Sequence, residues 1–203
     1  MTSAATTRVA IDGMLLGGDP SGVEFTIDRL CRALANHGAE RYRLFLPAAS
    51  ELHPPASPRF TTRRVSLPTR SRLVRIFYEQ MFLPGAVRTQ GADVLHAPGY
   101  IAPLAGRVPV VLTVYDVIAL KFPSWCKPSN VAHYRLMMPS SCRRASIVIV
   151  PSETTRKDLC RLQPAAASKI RVIPLGVGDE FAPRTDPGEL AHVREHYGLP
   201  ERF

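Results

Sequence analysis

Residues 145–176 read ASIVIVPSETTRKDLCRLQPAAASKIRVIPLG. Ile147-Val148-Ile149-Val150 is an unbroken β-branched run, the pattern of a strand buried on both faces of a parallel sheet. Pro151 stops the ladder, Ser152 offers a hydroxyl to cap a helix, and Glu153 and Asp158 place acid near the first turns, where the helix dipole favours it. Leu159 and Leu162 give that helix an apolar side. After the link Gln163–Ser168, the segment Lys169–Ile173 predicts a second strand, closed by Pro174 and Gly176. Strand, capped helix, strand is a βαβ unit with an expected right-handed crossover. Ligands of such units gather at the carboxyl ends of the strands, which points to Ser152, Glu153, Thr154 and the turn Leu175-Gly176-Val177.

The same grammar runs through the rest of the chain. Val9-Ala10-Ile11 predicts a first strand, continued by Met14-Leu15-Leu16, and the glycine-rich turn Gly17-Gly18-Asp19-Pro20-Ser21-Gly22 follows. A helix then carries Val23, Ile27, Leu30 and Leu34 inward and ends at Gly38. Such a loop either presents backbone N–H groups to a phosphate or lets a sugar approach the main chain; alternatively it is only a tight connection needing positive φ. It is neither GxGxxG nor a P-loop with its lysine. Arg43–Leu46, Thr62–Leu67 and Ala92–His96 read as further strands, the last running into the loop Ala97-Pro98-Gly99-Tyr100. Val108–Tyr115 is the longest strand signal, and Asp116 lies just past its end, where a carboxylate faces the ligand crevice of an open sheet or caps a turn. Asn130–Arg144 predicts a helix leading into the 145–176 unit.

The 203 residues, 45% hydrophobic, can bury a sizeable core, and 13 glycines and 19 prolines are spread among periodic segments, unlike a low-complexity chain. The net charge of +9 rests on 22 Arg and 4 Lys. That favours an anionic partner, or reflects genome composition alone. Six arginines, Arg59, Arg63, Arg64, Arg70, Arg72 and Arg75, fall between Glu51 and Glu79 with no acid among them. Leu73, Val74, Ile76, Phe77, Met81 and Phe82 interleave, so the Arg70–Arg75 region predicts an amphipathic helix. It either lies on anionic lipid or covers the sheet with a solvated basic side, the commoner arrangement.

Cys31, Cys126, Cys142 and Cys160 form no CxxC pair, no segment approaches a membrane span of about 18–20 apolar residues, and the N-terminus lacks the apolar core of a secretory signal. A cytoplasmic protein with reduced thiols is expected. His192 and His196 stand four apart without a third ligand nearby, and the chain has no Asp-x-Asp, so no metal site is expected.

Several segments together carry a resemblance: GGDPSGV at 17–23, YEQMFLP at 78–84, ADVLHAPGY at 92–100, VPVVLTVYDVIALKFP at 108–123, ASIVIVPSETTRKDL at 145–159, KIRVIPLGVGDEFAP at 169–183 and YGLPERF at 197–203. In order and spacing the chain resembles the N-terminal domain of glycosyltransferase family 4, retaining enzymes of the GT-B fold, and looks closest to mannosyltransferase-like members. The resemblance implies an α/β, Rossmann-like parallel sheet with helices on both faces over residues 1–183. Residues 184–203 would be a linker and helix leading to a donor-binding half outside the chain, so the chain alone is expected to be inactive.

The implied reaction transfers a hexose, mannose being the sugar suggested, from a nucleotide-diphosphate sugar to a saccharide or polyprenyl-linked acceptor, with no metal or other cofactor. Asp116 would be the catalytic or positioning carboxylate. Gly17, Gly18, Ser21, Gly22, His96, Tyr100, Tyr115, Ser152 and Glu153 would bind substrate. Nucleic acid is not an expected partner, and peripheral contact with the inner membrane face through the Arg70–Arg75 helix stays open. Two residues depart from the family pattern. Tyr115 stands where His is common, and a phenol titrating near pH ~10 carries no charge at neutrality. Glu24 stands where a small residue is usual and would repel a diphosphate. The alternatives are a truncated, non-catalytic sugar- or nucleotide-binding module and a dinucleotide-dependent oxidoreductase, the latter disfavoured by the missing GxGxxG.

Overall fold

The computed structural model describes residues 6–17, 21–53, 57–66, 71–178 and 180–200. Seven strands form one sheet in the order β3-β2-β1-β4-β5-β6-β7. They are β1 (Arg8–Asp12), β2 (Arg41–Pro47), β3 (Phe60–Val65), β4 (Val94–Ala97), β5 (Val110–Thr113), β6 (Ile147–Val150) and β7 (Ile170–Val172), and every pairing is parallel. Parallel neighbours need crossovers, and these carry α1 (Gly22–His37), α2 (Arg72–Met81), α3 (Leu83–Thr89), α4 (Ile118–Lys121), α5 (Pro128–Arg144) and α6 (Glu153–Leu162). A last helix, α7 (Pro187–Tyr197), buries no residue.

Alternation along β1 sorts the core into two layers. Ile11 packs with Leu44, Leu46 and the α1 residues Ile27 and Cys31. Ala10 points the other way, into the larger cluster built by Phe45, Leu95, Leu112 and Val148 with Tyr78 of α2, Leu83 and Val87 of α3, and Met138 and Cys142 of α5. Helices therefore cover both faces, as the resemblance implies. Asp12, two residues beyond Ala10, belongs to the α2/α5 side.

Four expectations need correction. Met14–Leu16 do not continue β1: the Asp12 carboxylate accepts from the Met14 N–H (3.1 Å) and Leu16 N–H bonds back to the Gly13 carbonyl (2.9 Å), so the chain turns off the sheet. Gly13 permits this because a Cβ there would lie 2.6 Å from Leu44 Cδ1 and 2.9 Å from the Phe45 carbonyl oxygen. The strong signal at Val108–Tyr115 yields a strand of only four residues, and β2, with seven, is the longest. Sheet-like bonds persist at the end of β5, with Tyr100 N–H donating to Thr113 O (3.0 Å) and Val114 N–H to Ile149 O (2.9 Å).

The run at 147–150 is not buried on both faces. Val148 and Val150 are fully buried, but Ile147 is 39% exposed and Ile149 is half-buried, because α1 covers the β1–β2 end of that face. Last, the helix expected to cover the sheet with a solvated basic side does so only in part: Tyr78 enters the core and Arg72 is exposed, but the apolar residues do not all face inward. In α2, Tyr78 and Glu79 are buried, whereas Leu73, Phe77 and Met81 are more than half exposed.

Candidate functional site

The sheet grows outward from β1 to β2 and β3 and then resumes on the other side with β4 to β7. The carboxyl ends of β1 and β4 therefore diverge at a topological switch point, where open parallel sheets hold ligands. A cavity of about 220 Å³ opens there. Asp12 at the end of β1, Gly99 after β4, Arg72, Arg75 and Glu79 of α2, and His133 and Tyr134 of α5 contribute to its wall. Helical spacing explains α2: residues 72, 75 and 79 share a face, while 73, 77 and 81 lie roughly opposite. Arg72 Nη2 donates to Asn130 Oδ1 (2.6 Å) and ties α2 to α5 across the opening.

Inside the cavity are two nearly buried carboxyl groups, Asp12 and Glu79, at 7% and 9% exposure. Burial, only partly offset by the Met14 N–H and by Arg75, raises Asp12 to about 6. Burial also raises Glu79 well above the carboxylate range, and the neighbouring Asp12 charge adds to it. Glu79 is accordingly the member of the pair that keeps its proton to higher pH. Arg75 lies between them electrostatically, its Nε 3.5 Å from Glu79 Oε1, and that buried Nε has no hydrogen-bond partner among the described residues. Burial and the two arginines lower His133, so its imidazole is uncharged at neutrality.

Beside this cavity stands a tyrosine cluster. Tyr100 adopts φ 68°, a left-handed conformation uncommon for a bulky residue. Its ring packs on Tyr134 and Tyr115 (centroids 5.2 and 5.5 Å), and its hydroxyl donates to Asp116 Oδ2 (2.6 Å). Burial, followed by the bond to Asp116, pushes the Tyr100 phenol above its usual value, and burial raises Tyr115 to about 12. Asp116 Oδ1 accepts from the Ile118 N–H (2.9 Å), so this carboxylate caps the α4 turn as well as facing the cluster.

The expected site residues thus separate into groups. Tyr100, Tyr115 and Asp116 come together, and Tyr134 links them to the cavity. His96 lies inside β4, with Nε2 2.9 Å from Thr113 Oγ1, and burial pulls it down to about 4. Ser152 caps α6 by accepting from Thr155 N–H (3.1 Å), and Thr155 Oγ1 donates to the Tyr115 carbonyl (3.3 Å). Glu153 is exposed and paired with Arg156 (2.7 Å). Gly17 ends the turn after β1, Gly22 opens α1 in open space, and Gly18 lies outside the described residues.

Ser21 and Glu24 form a capping box: Val23 N–H donates to Ser21 Oγ (3.3 Å) and Ser21 N–H to Glu24 Oε2 (3.0 Å). Glu24 therefore already occupies donors that a phosphate at this helix start would use. Arg70 lies outside the described residues. Arg64 donates to the carbonyls of Ser50 (2.6 Å) and Leu52 (3.0 Å), and Arg59 to that of Gly38 (3.4 Å). These two arginines are structural. Among the described residues, no three His, Cys, Asp or Glu side chains gather in a metal-binding group.

Asp12, Arg75, Glu79 and His133 are functional candidates that sequence reasoning missed. Asp12 closes a strand as Asp116 does, and Arg72, Arg75 and Glu79 stand at i, i+3 and i+7. That polar stripe could have been read as inward-facing.

A doubly wound parallel sheet with a polar cavity at its switch point defines an α/β domain of the Rossmann-like class. The model of Glycosyltransferase Family 4 matches residues 20–181, and the chain belongs to that family. Solved structures share the fold. WaaG, a glycosyltransferase involved in lipopolysaccharide biosynthesis, aligns with a TM-score of 0.63 at 14% identity over 96% of this chain and 52% of its own. HepE of Anabaena, solved in complex with UDP and glucose, gives 0.56 at 19% identity over 95% and 50%. A Rickettsia africae glycosyltransferase gives 0.50 at 14% over 98% and 51%. The chain spans about half the length of these structures. A search of curated proteins finds no match.

Proposed function

We propose that the chain is the acceptor-side half of a retaining glycosyltransferase that moves a hexose from a nucleotide-diphosphate sugar to a saccharide or polyprenyl-linked acceptor, with mannose the sugar suggested by the family resemblance. The observation that carries it is a polar cavity at the β1/β4 switch point of a chain matched by family 4 over residues 20–181. That HepE was solved with UDP and glucose supports the donor class.

In this reading residues 1–183 form the acceptor floor and 184–203 lead toward a donor-binding half. Asp116, held by Tyr100 and the Ile118 N–H, orients an acceptor or sugar hydroxyl at the sheet edge. Tyr100 and Tyr115 shape the wall beside it. Because Tyr115 is a neutral phenol, no imidazolium charge is available at that position. Most of the rate enhancement comes from electrostatic stabilisation of the departing diphosphate, supplied largely by the other half. Gly17, Ser21 and Gly22 bring the main chain near the ligand; Gly18, expected beside them, lies outside the described residues. The role for Glu153 is weakened by its pairing with Arg156, and that of His96 by its bond to Thr113. No cofactor is invoked.

The test is release of nucleoside diphosphate from UDP- and GDP-linked hexoses in the presence of saccharide acceptors, by the polypeptide of the whole reading frame and by these 203 residues alone. Release by the former and none by the latter is expected, and Asp116→Ala should lower turnover by about tenfold or more without unfolding the chain. No release by either protein would favour a binding module. Saturable NADH binding would favour an oxidoreductase.

The exposed Leu73, Phe77, Met81 and Phe82 favour one addition. With a net charge of +9, they suit α2 to an anionic lipid surface at the cytoplasmic face of a membrane. Among the described residues no helix is long and apolar enough to cross a membrane.

A further inference from the structure

We propose that the Asp12–Arg75–Glu79 cavity is a recognition site for an uncharged, hydroxyl-rich sugar ring, which makes Arg75 a specificity-determining residue for the acceptor. This assignment rests on the glycosyltransferase reading for its biological role, but its physical basis is the cavity itself.

The space of about 220 Å³ equals that of about seven waters at ~30 Å³ each. It lies just below the ~300–1,000 Å³ of pockets that enclose drug-sized ligands, a size that suits one monosaccharide ring. Donors and acceptors are interleaved around it. Arg75 supplies guanidinium N–H groups, one of them buried without a hydrogen-bond partner. Asp12 spends one oxygen on the Met14 N–H and accepts no other hydrogen bond from the described residues. A sugar hydroxyl donates and accepts at once, so neighbouring hydroxyls can bridge Arg75 to Asp12 and satisfy both.

Charge balance decides between a neutral and an anionic ligand. The two arginines of the cavity, Arg72 and Arg75, are already matched by the carboxyl groups of Asp12 and Glu24, and Glu79 adds a third acid to the same wall. A phosphate or carboxylate entering this space would meet the Asp12 carboxylate and would compete with Glu79 for Arg75. A neutral ring meets no such conflict.

The test is saturation-transfer NMR on the 203-residue chain with methyl α-glucoside and methyl α-mannoside as neutral probes and glucose 6-phosphate as the anionic probe. At least one neutral glycoside should bind with a millimolar dissociation constant, and glucose 6-phosphate should not displace it. Arg75→Lys, which keeps the charge beside Glu79 but removes the guanidinium fork, should weaken binding about tenfold. Arg75→Met should weaken it at least as much, and circular dichroism reports whether each variant folds. Neutral glycosides bound equally well by wild type and Arg75→Lys, tighter binding of the 6-phosphate, or no glycoside binding at all would each overturn the assignment. The two readings fail separately. Nucleoside diphosphate release with an acceptor KM unmoved by Arg75→Lys sinks the cavity assignment alone, whereas absent release from wild type sinks the transferase.

Discussion

Glu79 shows how a residue that looks like a helix-surface acid can be an interior one. It follows Arg75 by one turn and shares its face, and that face turns toward Asp12, away from water. The unfolded-state Glu79 titrates as an ordinary carboxyl, whereas the folded one stays protonated to higher pH. The folded state therefore binds more protons in that interval, and Glu79 destabilises the fold increasingly as pH rises through it. Glu79→Gln should remove this cost. Urea denaturation should show the variant more stable than wild type by about 1 kcal/mol near pH 7.5, with the gap closing below about pH 4.5. A gap independent of pH would mean that Glu79 is ionised in the fold. Tyr100 and Asp116 were legible from their positions after β4 and β5, because strand ends announce themselves. Asp12 closes β1 in the same way and was passed over, whereas the burial of Glu79 was not legible, since it depends on which elements its helix crosses, and that is a long-range fact.

At the scale of elements, helix and strand types followed from periodicity, while their environments did not. The βαβ unit at 147–172 is present with Ser152 as its helix cap, yet Ile147 and Ile149 reach solvent despite the β-branched run. A continuous apolar stretch reports strand propensity and one buried face, and leaves the second face undecided. In α2 the inversion is partial: Arg75 and Glu79 face the cavity and Tyr78 enters the core, while Leu73, Phe77 and Met81 form an outward ridge four residues apart and Arg72 stays exposed. Surface ridges of this kind bind where both apolar burial and charge attraction are available. Vesicles containing phosphatidylglycerol should sediment the chain at low salt more than pure phosphatidylcholine vesicles do, with the difference shrinking as salt rises toward 0.5 M. The triple change Leu73→Ser, Phe77→Ser, Met81→Ser should abolish sedimentation and leave the fold intact, since these side chains are already exposed. Sedimentation that survives the triple change would place the lipid contact elsewhere.

For the whole molecule, one feature of topology organises everything chemical. Because β4 returns to the far side of β1, the ends of these two strands part, and the crevice between them gathers residues distant in sequence: Asp12, Gly99, two arginines of α2 and the aromatic face of α5. The glycine loop at 17–22, prominent in the sequence, is at its described end a capped helix start with its donors partly taken. The most direct measurement is amide chemical-shift mapping of the ¹⁵N-labelled chain titrated with a neutral methyl hexoside. A sugar site at the switch point predicts that the largest shifts fall at residues 12–14, 97–101 and 133–134, with those near Arg8 and Asp93, at the opposite ends of β1 and β4, unmoved. Shifts confined to that opposite edge, or to α7, would contradict it.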